Sequence, residues 1–291
     1  MTAIVTGSRG FVGSALCGEL RAQGVEVYGV DVDGWDCEPP AETPGAVFFH
    51  LAWVGKAGPL RADWRVQLKN VEMALEYYEK AKAMGCRRFV CAGTIGEKML
   101  TLPECAKLRS QNRFYVNSKH YLHAMLENVD QGSCKVVWAM LGNMYGAGAA
   151  GGSILDYALQ KLLKGEFAKF GPGEQPYDFV NVGDAIRALA AIGLGTDVTS
   201  SEFYVGSGDP RPLKDYLRRV GEIAGRPDLV GIGALPDDGT RFRPEWFSID
   251  RLTSETGFSP SVGFDEGIRA NIEYLCGTTG ADARPGNANA T

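Results

Sequence analysis

The chain has no uncharged apolar run near the ~18 residues that a membrane-spanning helix needs, no cluster of basic residues, and no C-x-x-C or zinc-like Cys/His spacing. Each absence removes a class of function. Without an apolar run there is no candidate membrane helix. With a net charge of −5 and no basic run, nothing in the electrostatics favours nucleic acid or an anionic membrane as a partner. Only three histidines occur; His120 and His123 lie beside Lys119 without a third ligand at metal spacing, so no metal is expected. The seven cysteines are odd in number and scattered, and read as reduced packing residues. No self-similarity at solenoid periods is present, which removes repeat architectures. The strand pattern Ala3-Ile-Val-Thr6 begins at once, with no basic and apolar leader before it, and a soluble cytoplasmic protein is the expectation.

What is present is an ordinary globular composition, 291 residues with 45% apolar content, enough for one large α/β domain with a smaller lobe. Apolar runs of strand length at 3–6, 25–31, 46–52, 88–92 and 135–141 alternate with segments of helical period at 14–23, 68–84 and 115–128. Such alternation predicts a Rossmann-like doubly wound parallel sheet, with ligands beyond the carboxyl ends of its strands. After residue 150 helical patterns at 155–163 and 213–224 are broken by Gly/Pro turns. The expected organisation is a nucleotide-binding domain over 1–150, interleaved with later segments near 175–200, and a smaller α/β substrate lobe over 151–276. Residues 277–291 lack large apolar side chains and read as a disordered tail.

Two patterns carry chemistry. Gly7, Gly10 and Gly13 stand between the first strand and the first helix, where glycines let a backbone turn tightly and approach a pyrophosphate at a helix N-terminus. Asp31 follows 24 residues after Gly7, at the end of the next strand, where a carboxylate accepts hydrogen bonds from an adenosine ribose. That favours NAD. Two features leave NADP open: Arg9 in the loop is able to contact a 2′-phosphate, and Asp33 is an alternative ribose ligand. Downstream, Tyr115 and Lys119 share one helix face, and an ammonium near a phenol lowers its pKa from about 10 and makes it a usable proton acceptor.

With Thr6-Gly-Ser-Arg-Gly-Phe-Val-Gly13, Asp31, His50-Leu-Ala52, Gly93-Thr94, Tyr115-x-x-x-Lys119 and Asn143-Met-Tyr-Gly146 in this order, the chain resembles the extended short-chain dehydrogenase/reductase family of nucleotide-sugar enzymes. The resemblance runs from residue 2 to about 276. It implies that Thr94, Tyr115 and Lys119 are catalytic: Thr94 bonds the reacting hydroxyl, Tyr115 is the acid/base and Lys119 holds the nicotinamide ribose. It implies further that Gly7, Arg9, Gly10, Phe11, Val12, Gly13, Asp31, Leu51, Ala52, Asn70 and Lys119 bind the cofactor, Asn70 from the opening of a helix. Trp53, whose indole face suits a sugar ring, joins Thr94, Asn143, Tyr177 and Arg243 as the expected substrate residues. The implied activity is an NAD-dependent nucleotide-sugar 4-epimerase, with an NAD(P)H-dependent 4-ketoreductase as the alternative and a non-catalytic dinucleotide sensor as a third. The family's paired helices, here 68–84 and 115–128, imply a homodimer.

The chain also departs from the family pattern. The acid pair that dehydratases carry directly after the catalytic threonine is Ile95-Gly96 here, with Glu97 one place late. Only 18 residues separate Asp31 from His50, fewer than the family uses there, so part of the adenine pocket is expected to be missing. Tyr177 and Met140 stand where the family often has substrate-diphosphate arginines, which leaves Arg241 and Arg243 as the candidate cations.

Overall fold

A seven-stranded sheet organises the protein, in a computed structural model that describes residues 1–31, 34–103, 105, 113–148 and 153–278. Its first half runs β1 (Thr2–Thr6), α1 (Phe11–Ala22), β2 (Glu26–Asp31), β3 (Gly34–Trp35), β4 (Val47–His50), α2 (Trp64–Ala83), β5 (Arg88–Thr94), α3 (Arg113–Asn128) and β6 (Lys135–Leu141). The second half adds β7 (Asn143–Tyr145), α4 (Ile154–Leu163), β8 (Ala168–Lys169), β9 (Pro176–Tyr177), β10 (Phe179–Asn181), α5 (Val182–Leu194) and β11 (Glu202–Val205). It ends with β12 (Arg211–Pro212), α6 (Leu213–Ile223), β13 (Val230–Gly231), α7 (Asp250–Thr256) and α8 (Phe264–Thr278). The sheet order is β11-β6-β5-β4-β1-β2-β3, parallel except where β3 turns back on β2. This is the expected doubly wound α/β fold. Expected residues Asp33 and most of the 277–291 tail lie outside the described residues.

The period-2 alternation of the central strands sorts side chains to two buried faces. Ala3, Val5, Val47, Phe49 and Val90 pack beneath α1, α5 and α7, while Ile4, Phe48, Phe89, Cys91 and Trp138 pack beneath α2 and α3. A third apolar cluster joins α4, α6 and α8 around Tyr145, Phe179 and Tyr216. There the strands form two-stranded pieces, β7 with β10, β8 with β13 and β9 with β12.

Two differences from the sequence reading bear on the site. Helix α2 starts at Trp64, four residues earlier than periodicity suggests, because the Asp63 carboxylate accepts from the amides of Arg65 at 2.8 Å and Val66 at 3.4 Å. Asn70 therefore lies inside a helix, buried, and does not open one. The short link between Asp31 and His50 is a hairpin: β3 pairs antiparallel with β2, and the Asp36 amide donates to Gly29 O at 2.8 Å. A Cβ at Gly29 would fall 2.3 Å from the Asp36 carboxylate and 2.8 Å from Ser8 Cβ, so glycine leaves room for these two side chains over β2.

Candidate active site

Beyond the carboxyl ends of β1, β2 and β4 opens a cleft of about 480 Å³ lined by Gly7, Arg9, Gly10, Asp31, Leu51 and Ala52, with Trp53 and Tyr77 on its wall. Gly7 holds φ +68, a conformation side chains disfavour. A Cβ at Gly13 would sit 2.0 Å from Gly7 O, so the third glycine lets α1 close onto the loop. No side chain caps α1, whose first-turn amides and positive dipole end suit a phosphate. Asp31 Oδ2 accepts from the Arg9 amide at 2.9 Å. The residues present fit a dinucleotide: a bare glycine turn, an uncapped helix start and a carboxylate at the tip of β2. Phe11, Val12, Gly13, Asn70 and Lys119 do not line this cleft.

The Arg9 guanidinium turns to the hairpin. Its Nε and Nη2 donate to Asp36 Oδ1 at 3.1 and 2.7 Å, and Ser8 Oγ donates to Asp36 Oδ2 at 3.3 Å. Asp36 escaped sequence reasoning because its position depends on the hairpin, which a two-residue strand hardly signals.

The segment after β4 is held by α2. Thr6 Oγ1 accepts from the amides of Leu51 at 3.1 Å and Ala52 at 3.2 Å, and lies 3.0 Å from Nδ1 of buried His50, whose pKa burial lowers to about 3. Asn70 bonds both the amide and the carbonyl of Val54, at 2.9 and 2.8 Å. Its role in the structure is to shape this loop. Gln67, also missed, accepts from Trp53 Nε1 at 2.8 Å and donates to the carbonyls of Gly55 at 3.1 Å and Leu60 at 3.0 Å. The loop that α2 organises thus carries Trp53 and Arg61.

Thr94, at the end of β5, caps the turn that follows: its Oγ1 accepts from Gly96 N at 3.3 Å, and its amide donates to Glu97 Oε1 at 2.7 Å. Thr94 is near enough to the Tyr115 phenol to favour its ionised form. Lys119 is buried, donates from Nζ to Ala92 O at 2.6 Å, and lies 3.7 Å from the centre of the Trp53 ring. Trp53 meets Tyr115 edge-on at 5.9 Å between ring centres. The expected lowering of the Tyr115 pKa by Lys119 is not what the structure gives. Burial dominates and raises the phenol above its ordinary value; Arg61 and Thr94 oppose that rise, and the Glu97 charge adds to it. Lys119 itself is pushed down to about 8 by burial.

A second cleft, about 350 Å³, opens at Thr94, Gly96, Asn143, Tyr177 and Phe242, with Arg61 and Arg113 as its cationic residues. Thr94, Asn143 and Tyr177 therefore meet in one cleft as expected. Trp53 lines the glycine-loop cleft instead, and Arg243 is exposed and lines neither. Arg241 pairs with Asp237 at 2.6 Å, which directs it away from a ligand role. Neither candidate cation from sequence reasoning reaches the cleft; Arg61 does, from a loop whose course the sequence does not reveal. Among the described residues no cluster could hold a metal ion, and no helix is long and apolar enough to cross a membrane.

Comparison with known proteins agrees with the fold. The sequence matches no curated protein. The fold is similar to the UDP-glucose 4-epimerase of the hyperthermophilic eubacterium Thermotoga maritima, solved with UDP-glucose (TM-score 0.74, 21% identity, covering 96% of this chain and 100% of that one). It is also similar to the UDP-glucose 4-epimerase of Thermus thermophilus in complex with NAD (0.72, 24%, 95% and 99%). RMD from Pseudomonas aeruginosa, complexed with NADPH, is comparably similar (0.74, 21%, 95% and 99%). The sequence model described as the NAD dependent epimerase/dehydratase family matches residues 3–54 and 41–202. From that match over most of its length, the chain belongs to the NAD dependent epimerase/dehydratase family, within the extended short-chain dehydrogenases/reductases, and is an NAD(P)-dependent enzyme.

Proposed function

We propose that the protein is an NAD-dependent nucleotide-sugar 4-epimerase that works through a transient 4-keto sugar. One observation carries the reading: Tyr115 meets Trp53 of the glycine-loop cleft edge-on and lies against Arg61, which lines the cleft of Thr94, Asn143 and Tyr177. Tyr115 takes the proton of the sugar C4 hydroxyl and later returns it, while Thr94 Oγ1 holds the same oxygen. Bound NAD supplies the hydride acceptor and donor. Lys119 and Trp53 support the nicotinamide side, and Gly7, Gly10 and Asp31 the pyrophosphate and ribose. NAD is favoured over NADP because the carboxylates of Asp31 and Asp36 flank the Arg9 position where a 2′-phosphate would need a free cation.

Dehydration is disfavoured by the fate of Glu97. Its carboxylate is buried, bonded to the Thr94 amide and 3.5 Å from His123 Nδ1, and does not line the cleft. One observation favours a second reading, a 4-ketoreductase: a hairpin stands in place of a longer crossover, and a smaller adenine pocket suits a reductase that exchanges its cofactor every turnover. The nucleotide-sugar substrate class rests on the similar proteins solved with UDP-glucose and on the cleft's setting. A homodimer is supported by exposed Trp64 and Leu68 on α2 and Phe114 and Tyr121 on α3; light scattering of the purified protein reads it.

The test is to incubate the purified protein with a panel of nucleoside-diphosphate hexoses without added cofactor. Inversion at C4 supports the epimerase. Turnover only of 4-keto sugars, and only with added NADH or NADPH, sinks it in favour of the reductase.

A further inference from the structure

The Arg61 guanidinium carbon lies 3.9 Å from the centre of the Tyr115 ring. Arg61 sits on the single turn Pro59–Ala62 that leads into the Asp63 cap of α2. The turn is held in place: Gln67 Nε2 bonds Leu60 O, the Asp63 amide donates to Leu60 O at 3.2 Å, and Arg61 Nη1 bonds Lys56 O. Gly55, at φ +71, packs so tightly on Leu60 that a Cβ there would fall 2.8 Å from its carbonyl oxygen. The stack is therefore built by the loop and does not depend on a swinging side chain.

Of the charges near the phenol among the described residues, Lys119 stands on the same helix and Glu97 on the turn after β5. Lys119 is directed to Ala92 O and the Trp53 ring. Glu97 opposes formation of a phenolate, and Thr94 carries no charge. Arg61 alone among these cations lies against the phenol ring. A cation over an aromatic face interacts more strongly as the ring gains electron density, so it favours phenolate over phenol. Arg61 also lines the cleft with Thr94 and Asn143.

We propose that Arg61 is the electrostatic partner of Tyr115, a positioning residue whose guanidinium stack orients the phenol ring and makes it ionisable, with Lys119 left to the cofactor side. The inference rests on the reading of Tyr115 as the acid/base. It assigns to the loop before α2 a share of the chemistry that the Tyr115/Lys119 spacing assigns to one helix.

The experiment needs no substrate. Protein labelled with ζ-13C-tyrosine is titrated by NMR, with Tyr115→Phe identifying the Tyr115 signal. In Arg61→Gln the Tyr115 midpoint is expected to rise by at least about one pH unit, the shift an opposite charge at this distance produces; in Lys119→Met it moves less. Glu97→Gln moves it down. An unshifted midpoint in Arg61→Gln, or a larger rise in Lys119→Met, overturns the proposal. If Arg61→Gln loses its native circular dichroism, Arg61→Lys carries the test, because lysine keeps the charge without the flat stack: a smaller rise supports the proposal, and coincidence with the parent overturns it. Failure here leaves the acid/base role of Tyr115 standing, since that role is read separately from turnover of Tyr115→Phe.

Discussion

Lys119 holds its ammonium 3.7 Å from the centre of the Trp53 ring and donates to Ala92 O at 2.6 Å, so a buried charge rests on an indole and one carbonyl. Burial lowers its pKa from 10.5 to about 8. Below pH ~8 the folded and unfolded forms are both protonated and the full penalty applies; between ~8 and ~10.5 the unfolded form binds more protons, so stability rises with pH. Lys119→Met is expected to be more stable than the parent at about pH 7, by up to ~3 kcal/mol, with the gain vanishing near pH ~10.5. Urea unfolding of both proteins at two pH values reads the difference; a gain independent of pH would contradict it.

Tyr115→Phe keeps the ring on which Arg61 stacks and removes the proton carrier. Turnover of a competent substrate is expected to fall by about 10²–10⁴, the usual scale of general acid–base catalysis. Cofactor affinity, followed by NADH fluorescence, stays near the parent value. Undiminished turnover would remove Tyr115 from the mechanism.

Asp36 draws the Arg9 guanidinium toward the hairpin at 2.7 Å. Both side chains are partly exposed, so the pair is weak on its own, and its effect lies in the direction it gives Arg9. Asp36→Asn is expected to tighten NADPH binding about tenfold, ~1.4 kcal/mol, with a smaller change for NADH. Equilibrium titration with both nucleotides decides; an equal response of the two would mean that Asp36 does not select.

Gly13→Ala places a methyl group 2.0 Å from Gly7 O. Backbone must move to admit it, at a cost of about 1–3 kcal/mol, and the loop loses its fit to a pyrophosphate. A lowered melting temperature together with lost NADH binding is the expected result. Gly18→Ala, where a Cβ meets nothing within 4 Å, serves as the control.

Much of the fold is visible in the residue order, for a local reason. The continuous apolar runs Ala3-Ile-Val-Thr6 and Lys135 to Leu141 record burial on both faces of a parallel sheet, and the observed strands follow them closely. Gly7, Gly10, Asp31, Thr94 and Asn143 fall at the strand ends where a doubly wound fold gathers its ligands. What escaped reading depends on loops. The path from Leu51 to Ala62 is set by Gln67 and Asn70 reaching back from α2, and nothing in the order Trp53, Arg61, Tyr115, Lys119 tells which cation meets which ring. Asp36 reaches Arg9 through a hairpin of two-residue length, too short for periodicity to register. Arg243 follows the same rule in reverse: a cation near the right place in sequence points to solvent.

Arg88, buried at the start of β5, gathers the carbonyls of Ile192 at 2.6 Å, Gly193 at 2.8 Å and Gly195 at 3.0 Å, at the end of α5. Next to it in the sheet, β6 pairs on its outer side with β11. During synthesis the ribosome delivers the glycine loop first and this partner helix and edge strand more than a hundred residues later. Until Val198 has emerged Arg88 lacks part of its carbonyl set, and until Val205 has emerged β6 is an open edge. An open strand edge is where chains pair wrongly, so the second half of the chain completes the protection of the first.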